Sequence, residues 1–132
     1  EDLKVVLSRA KLSDLIGTDP VIQLLQAFDA AVGDCPKHEV EIKLRRCAAE
    51  GRCINLHLDY TPLTMQVALN GDGDYEGGRL VYLTGNGVFW TPPRPAGTTT
   101  IHNCGIVHGV TKMGWGVRYG LFLLLRPSLP VQ

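Results

Sequence analysis

The chain has 132 residues, 45% of them hydrophobic and 20% charged, a balance that suits one globular domain with a core of its own. Thirteen basic residues offset thirteen acidic ones, so no broad field draws nucleic acid or an anionic membrane. The longest wholly apolar run, Leu121 to Leu125, is far too short to span a bilayer as a helix.

Residues 1–36 read as helical support. Thr18 or Asp19 is placed to cap a helix whose first position is Pro20, and Ile22, Leu25, Phe28 and Val32 recur at helical spacing before Gly33 stops it. Residues 37–126 read as the β core of the same domain. Glu39 to Cys47 alternates, with Val40, Ile42 and Leu44 on one face. Ala48 to Arg52 is a turn. Cys53 to Asp59 alternates again, with Ile54, Leu56 and Leu58 opposite Asn55, His57 and Asp59. Further strands are expected at Leu63–Leu69, Arg79–Thr84, Val88–Trp90, Thr98–Asn103, Ile106–Thr111 and Gly116–Leu125. Glycine- and proline-rich breakers separate them, Thr91 to Ala96 reading as a rigid turn and Gly77-Gly78 as a turn with no helix behind it. Eight short strands without intervening helices predict a mainly β fold, a double-sheet jelly roll with an N-terminal supporting helix.

Cys35, Cys47, Cys53 and Cys104 form no CxxC pair, which argues against a zinc ribbon or a thioredoxin-type site. Cys47 and Cys53 flank a turn, so a disulfide between them stays open beside the reading of free thiols. No secretory signal is visible and the chain starts at Glu1, which leaves the compartment open.

The chemistry-bearing pattern is His57-Leu58-Asp59. Period-two alternation puts the imidazole and the carboxylate on one strand face. A histidine beside an aspartate is more often a plain hydrogen-bonded pair, so a third ligand is needed, and His108 on a late strand is the natural candidate. His102 is the minor alternative. Two histidines and one carboxylate form the facial triad of non-haem iron(II) oxygenases.

Arg118 follows ten residues after His108. Together with Thr64 to Asn70, Asp74-Tyr75-Glu76-Gly77-Gly78, His108-Gly109-Val110 and Gly116-Val117-Arg118-Tyr119, this pattern resembles the 2-oxoglutarate/iron(II) dioxygenase superfamily in its prolyl and lysyl hydroxylase branch. Over residues 54–125 the similarity is greatest to procollagen lysyl hydroxylase catalytic domains. The resemblance implies a double-stranded β-helix with iron(II) on His57, Asp59 and His108. It also implies Arg118 pairing with the far carboxylate of 2-oxoglutarate, and Gln66 near that co-substrate where lysyl hydroxylases have an asparagine. The serine that many relatives carry two residues after the arginine is Gly120 here. The implied activity consumes dioxygen and 2-oxoglutarate and hydroxylates an unactivated C–H bond, with a peptidyl proline or lysine as the family-based substrate and a small molecule as the other. The competing readings are a non-catalytic jelly-roll binding module with a vestigial metal site, and a cupin-like metalloenzyme that would leave Arg118 without a task. Tyr60 and Trp115 are expected as pocket walls, ahead of Tyr82.

Overall fold

The computed structural model describes residues 2–34, 38–48 and 51–127. The elements in chain order are β1 (Asp2–Leu7), α1 (Arg9–Ile16), α2 (Thr18–Val32), β2 (His38–Cys47), β3 (Ile54–His57), β4 (Leu63–Ala68) and β5 (Tyr75–Gly77). They continue with β6 (Leu80–Leu83), β7 (Phe89–Trp90), β8 (Thr99–Asn103), β9 (His108–Val110), β10 (Met113–Gly116) and β11 (Arg118–Pro127). Five strands form an antiparallel sheet in the order β1-β2-β11-β4-β8, four form a second sheet in the order β3-β9-β6-β7, and β5 and β10 make a two-stranded ribbon. This is a jelly roll with two helices laid on one side, as the strand pattern predicts.

Alternation along the long strands decides what each face does. Leu121, Leu123 and Leu125 of β11, Met65 and Val67 of β4 and Ile42 of β2 turn to the helical side, where they pack with Leu12 of α1 and Val21 and Phe28 of α2. Phe28, Met65 and Leu123 are fully buried. Each such side chain contributes roughly 1.5–3 kcal/mol by leaving water. The opposite face of the same sheet carries Thr64, Gln66, Gly120 and Phe122, with Gly120 paired to Ala68 and Phe122 to Gln66. That face looks into a polar chamber closed by the second sheet.

The helical region is more divided than its periodicity suggests. Residues 2–7 are an edge strand, not a helix: β1 pairs in register with β2 from Asp2↔Cys47 to Leu7↔Ile42, and Arg45 grips Asp2 with two hydrogen bonds of 2.8 and 2.7 Å. The branched pair Val5-Val6 suits that pleated position. Ser8 then caps α1 by accepting from the Lys11 N–H. α2 starts at Thr18, two residues before the expected Pro20, with Gly17 at the N-cap and no side-chain cap, so neither Thr18 nor Asp19 caps it. Its buried face is Val21 and Phe28, with Leu24, Leu25 and Val32 partly buried, while Ile22 is exposed. Gly33 ends the helix as expected, at a φ of 69°.

Three strands escaped the pattern: β1, β5 and β10. The expected strand Gly116–Leu125 is two strands broken at Val117, so Arg118 lies two strands beyond His108 rather than on the next one. β3 ends at His57, and Asp59 sits just past it. Leu56 and Leu58 are exposed, because β3 is the edge of its sheet. Cys47, Cys53 and Cys104 are free thiols, and Cys35 lies outside the described residues. Among the described residues no helix is long and apolar enough to cross a membrane.

Candidate metal centre and carboxylate pocket

β3 and β9 pair with His57 directly opposite His108, which brings two imidazoles to the same face of one sheet. Their ring centroids stand 4.4 Å apart. The close approach depends on Gly109: a Cβ there would come 2.7 Å from the Ile54 carbonyl oxygen and 3.2 Å from the Leu56 nitrogen. Any side chain at that position would push the strand bearing His57 away from the strand bearing His108.

Asp59 completes the cluster. One carboxylate oxygen, Oδ1, is 3.4 Å from Nε2 of both His57 and His108. Each of these histidines turns its other nitrogen to a backbone carbonyl two residues earlier, His57 Nδ1 to Asn55 at 2.7 Å and His108 Nδ1 to Ile106 at 3.0 Å. A carbonyl only accepts, so both Nδ1 atoms carry the proton and both Nε2 lone pairs point inward in the neutral rings. The ligand atoms of His57, Asp59 and His108 lie within 4.8 Å of one another. Neighbouring ligands of one divalent ion, each at roughly 2.1 Å from it, stand about 3 Å apart. The two oxygen–nitrogen separations of 3.4 Å exceed that by only a few tenths of an ångström, and the three donors converge on one point without a large rearrangement of the strands.

The second oxygen of Asp59 is held from behind. Oδ2 accepts from Thr64 Oγ1 at 2.6 Å and meets His102 Nε2 at 2.8 Å. His102 is in turn hydrogen-bonded through Nδ1 to the Tyr82 hydroxyl at 3.1 Å. If His102 is neutral, Nε2–H donates to the carboxylate and Nδ1 accepts from Tyr82. His102 therefore belongs to the site without being one of the three converging ligands. Outer partners of this kind fix the orientation of a ligand and tune its basicity. The sequence marks His102 only as a competitor for the ligand position; its real partner, Asp59, becomes visible once β8 pairs with β4 and sets His102 opposite Thr64.

Burial works to raise the pKa of Asp59, but hydrogen bonds from His102, His108 and Thr64 overcome it and hold the carboxyl well below its ordinary range. His108 shows the opposite balance: burial lowers its pKa, and the Asp59 carboxylate and the Ile106 carbonyl raise it above the usual histidine value.

A cavity of about 490 Å³ opens beside the cluster. His57, Asp59, Thr64, Gln66, His108 and Arg118 all line it. Arg118 is 3% exposed, and its Nε and Nη2 are buried without a hydrogen-bond partner. Burial, and then the charge of Arg94, bring its pKa down to about 10, so it remains a cation at neutral pH. A desolvated, half-satisfied guanidinium is costly unless an anion reaches it. Gln66 is also buried, opposite Phe122 on one side and Thr100 on the other. Tyr60 and Trp115, expected as walls, are exposed and do not line this cavity. Tyr82 stands beside the cluster, 5.9 Å from His108 and 5.4 Å from His102 between ring centroids, with Trp90 stacked on it at 5.9 Å.

No family model matches the chain, and no curated protein does. Solved structures do. A prolyl-4-hydroxylase of Pseudomonas putida aligns over 98% of this chain and 73% of its own, with a TM-score of 0.74 and 18% identity. A prolyl hydroxylase of Trichoplax adhaerens, solved with a hypoxia inducible factor oxygen degradation domain peptide fragment, aligns over 96% of this chain at a TM-score of 0.72 and 14% identity. A 2OG-Fe(II) oxygenase family oxidoreductase of Burkholderia pseudomallei does so over 96% at 0.68 and 15%. This chain spans 63% of the Trichoplax chain and 66% of the Burkholderia chain. At these identities the likeness establishes the architecture: this chain has the jelly-roll fold found in 2-oxoglutarate/iron(II) oxygenases.

Proposed function

We propose that this protein is a 2-oxoglutarate-dependent, iron(II) dioxygenase that hydroxylates an unactivated C–H bond. One observation carries the reading: a cluster of two histidines and one carboxylate shares a cavity with a buried guanidinium, two of whose nitrogens lack partners. The cluster alone would suit many metalloproteins. The guanidinium adds a place for a carboxylate at a distance from the metal, which a cupin-like enzyme without a co-acid would not use.

In this reading His57, Asp59 and His108 hold iron(II). When bound, the metal supplies dioxygen activation, coupled to the conversion of 2-oxoglutarate to succinate and carbon dioxide, with one oxygen atom going to succinate and the other to the hydroxylated substrate. Arg118 binds the far carboxylate of the co-substrate, and its planar fork suits two parallel hydrogen bonds. Gln66, buried on β4 and lining the same cavity, offers an amide to the co-substrate. Thr64 and His102 keep Oδ2 of Asp59 occupied, so that Oδ1 faces the two imidazoles. The neutral tautomers of His57 and His108 are set by the Asn55 and Ile106 carbonyls before any metal arrives.

For the substrate, a peptidyl proline or lysine is the reading we favour over a small metabolite. Leu56, Leu58 and Tyr60 are exposed beside the metal ligands, and Trp90 is exposed where it stacks on Tyr82. Exposed apolar side chains flanking an open edge strand suit an extended peptide held partly by backbone hydrogen bonds. The test is anaerobic addition of iron(II) and 2-oxoglutarate, then oxygen, with succinate measured with and without proline- and lysine-containing peptides. Succinate stimulated by a peptide is the expected result. Metal binding without any 2-oxoglutarate turnover would leave the vestigial binding module in possession.

A further inference from the structure

Arg94 comes from the proline-rich stretch that reads in the sequence as a rigid turn, yet it is 2% exposed. Its backbone N–H donates to Asp72 Oδ2 at 2.7 Å, which pins the turn. Its Nη1 donates to the Tyr75 hydroxyl at 3.4 Å. Its Nη2 is buried and has no hydrogen-bond partner. A structural arginine tying a turn to the sheet would account for the first two bonds and leaves the third nitrogen unexplained.

The position of that nitrogen is informative. Arg118, Gly120 and Phe122 share one face of β11 by alternation, and both Arg118 and Phe122 line the cavity. A Cβ on Gly120 would stand 3.5 Å from Arg94 Nη2 and 3.0 Å from the Phe122 ring. Arg94 therefore reaches the inner face of β11 at the glycine between two cavity-lining residues. Tyr75 is a neighbour of both arginines. Three guanidinium nitrogens, Nη2 of Arg94 with Nε and Nη2 of Arg118, are thus buried without partners in one neighbourhood. Neither arginine forms an ion pair among the described residues, although Asp72, close by, pairs with Arg79. Two like charges out of water repel, and an anion between them would offset both the repulsion and the lost hydration.

We propose that Arg94 is a second carboxylate anchor, which together with Arg118 binds the far carboxylate of a 2-oxo dicarboxylic acid and selects it over monocarboxylates of the same chain length. The proposal rests on the co-substrate reading above and adds a residue and a selectivity to it. A carboxylate has about four lone-pair sites, and one bidentate arginine occupies two of them. Gly120 leaves the space through which a second guanidinium meets the remainder.

The experiment is calorimetric titration of the manganese(II)-loaded protein with 2-oxoglutarate and with 2-oxovalerate, which keeps the five-carbon 2-oxo acid and lacks the far carboxylate. The parent protein should bind 2-oxoglutarate the more tightly. Arg94→Met should weaken 2-oxoglutarate roughly ten- to a hundred-fold, the loss that goes with one charge-assisted hydrogen bond, and leave 2-oxovalerate and manganese binding unchanged. Arg94→Lys, which keeps the buried charge and loses the fork, should fall between parent and Arg94→Met, and it carries the test if the methionine variant does not fold. If both variants bind 2-oxoglutarate as the parent does while Arg118→Met weakens it, Arg94 is structural and only this proposal falls. Equal losses for the two acids overturn it as well. A parent protein with no preference for 2-oxoglutarate overturns this proposal and the co-substrate reading together.

Discussion

The two faces of the five-stranded sheet are built from the same strands and obey opposite rules. On the helical side the buried positions are apolar, and Met65, Leu121 and Leu123 share one core cluster with Phe28 through generic packing. On the chamber side the same strands present Thr64, Gln66, Thr100, His102 and Arg118, all buried or half-buried polar groups. Several of these have partners only within the site, and Arg118 and Thr100 retain buried polar atoms with none. One face lowers free energy by leaving water; the other gives up part of that gain to hold charged and polar groups where ligands can complete them. Alternation along β4 and β11 lets both arrangements coexist within single strands.

That contrast predicts that stability and binding can be damaged separately. Phe28→Ala should lower unfolding free energy by about 3–5 kcal/mol, the usual loss for a buried aromatic. The fraction that remains folded should bind metal as before, as chemical denaturation alongside a manganese(II) titration would reveal. A loss of metal affinity in the folded protein would mean that the two faces are not independent. His57→Ala is the converse. The ring is exposed, so unfolding free energy without metal should move by no more than about 0.5 kcal/mol, while divalent-ion affinity falls by more than roughly a hundred-fold, beyond what removing an outer partner costs. Retained affinity would remove His57 from the ligand set.

The sequence announces the helical face and half of the chamber, and the division has a physical cause. Val40, Ile42, Leu121 and Leu123 repeat with the strand period, so their side of the sheet is legible without coordinates. His57 and Asp59 are legible because they stand two apart in an alternating segment, although β3 itself ends at His57. His102 and Arg94 are not, because their meaning depends on long-range pairing: β8 must lie on β4 before His102 meets Asp59, and the proline-rich turn must fold over β11 before Arg94 meets Gly120. Residues 2–7 went astray for the same reason, since a short apolar segment becomes a strand only if an edge such as β2 is available to receive it. Nearness to Asp59 in sequence does not bring Tyr60 into the site: it follows the aspartate directly and is wholly exposed.

His102 sharpens the comparison, since it lies on the binding face yet touches the ligand set only through Asp59. His102→Gln keeps a donor of similar reach, and His102→Leu removes it. Metal affinity should fall about ten- to a hundred-fold for the leucine variant, as for other outer partners of metal ligands, and less for glutamine. Rescue by glutamine is the informative outcome, because a purely packing role would favour leucine over glutamine at a buried site. If leucine binds metal as well as the parent does, Thr64 alone is sufficient to hold Asp59.

The smallest expected effect is the dependence on pH, and here the two demands on the chamber pull in opposite directions. Asp59 is held below its ordinary pKa, so its contribution to stability is present above about pH 4, the unfolded value, and is lost as pH falls through the folded one. His108 is raised, so its contribution is complete below about pH 6.5 and is lost as pH climbs through its folded value. Without metal the cluster therefore stabilises the fold most between about pH 4 and 6.5. Metal binding requires the neutral ring of His108, and so gains as the proton leaves. Thermal unfolding at pH 5.5 and pH 8 should show a larger metal-induced rise in Tm at the higher pH. In the metal-free protein, the fall in stability from pH 5.5 to pH 8 should be smaller in His108→Gln than in the parent, since glutamine has no proton to lose. If the two proteins change alike over that interval, the imidazolium–carboxylate contact contributes nothing measurable. The pH response of the apoprotein would then arise elsewhere in the chain.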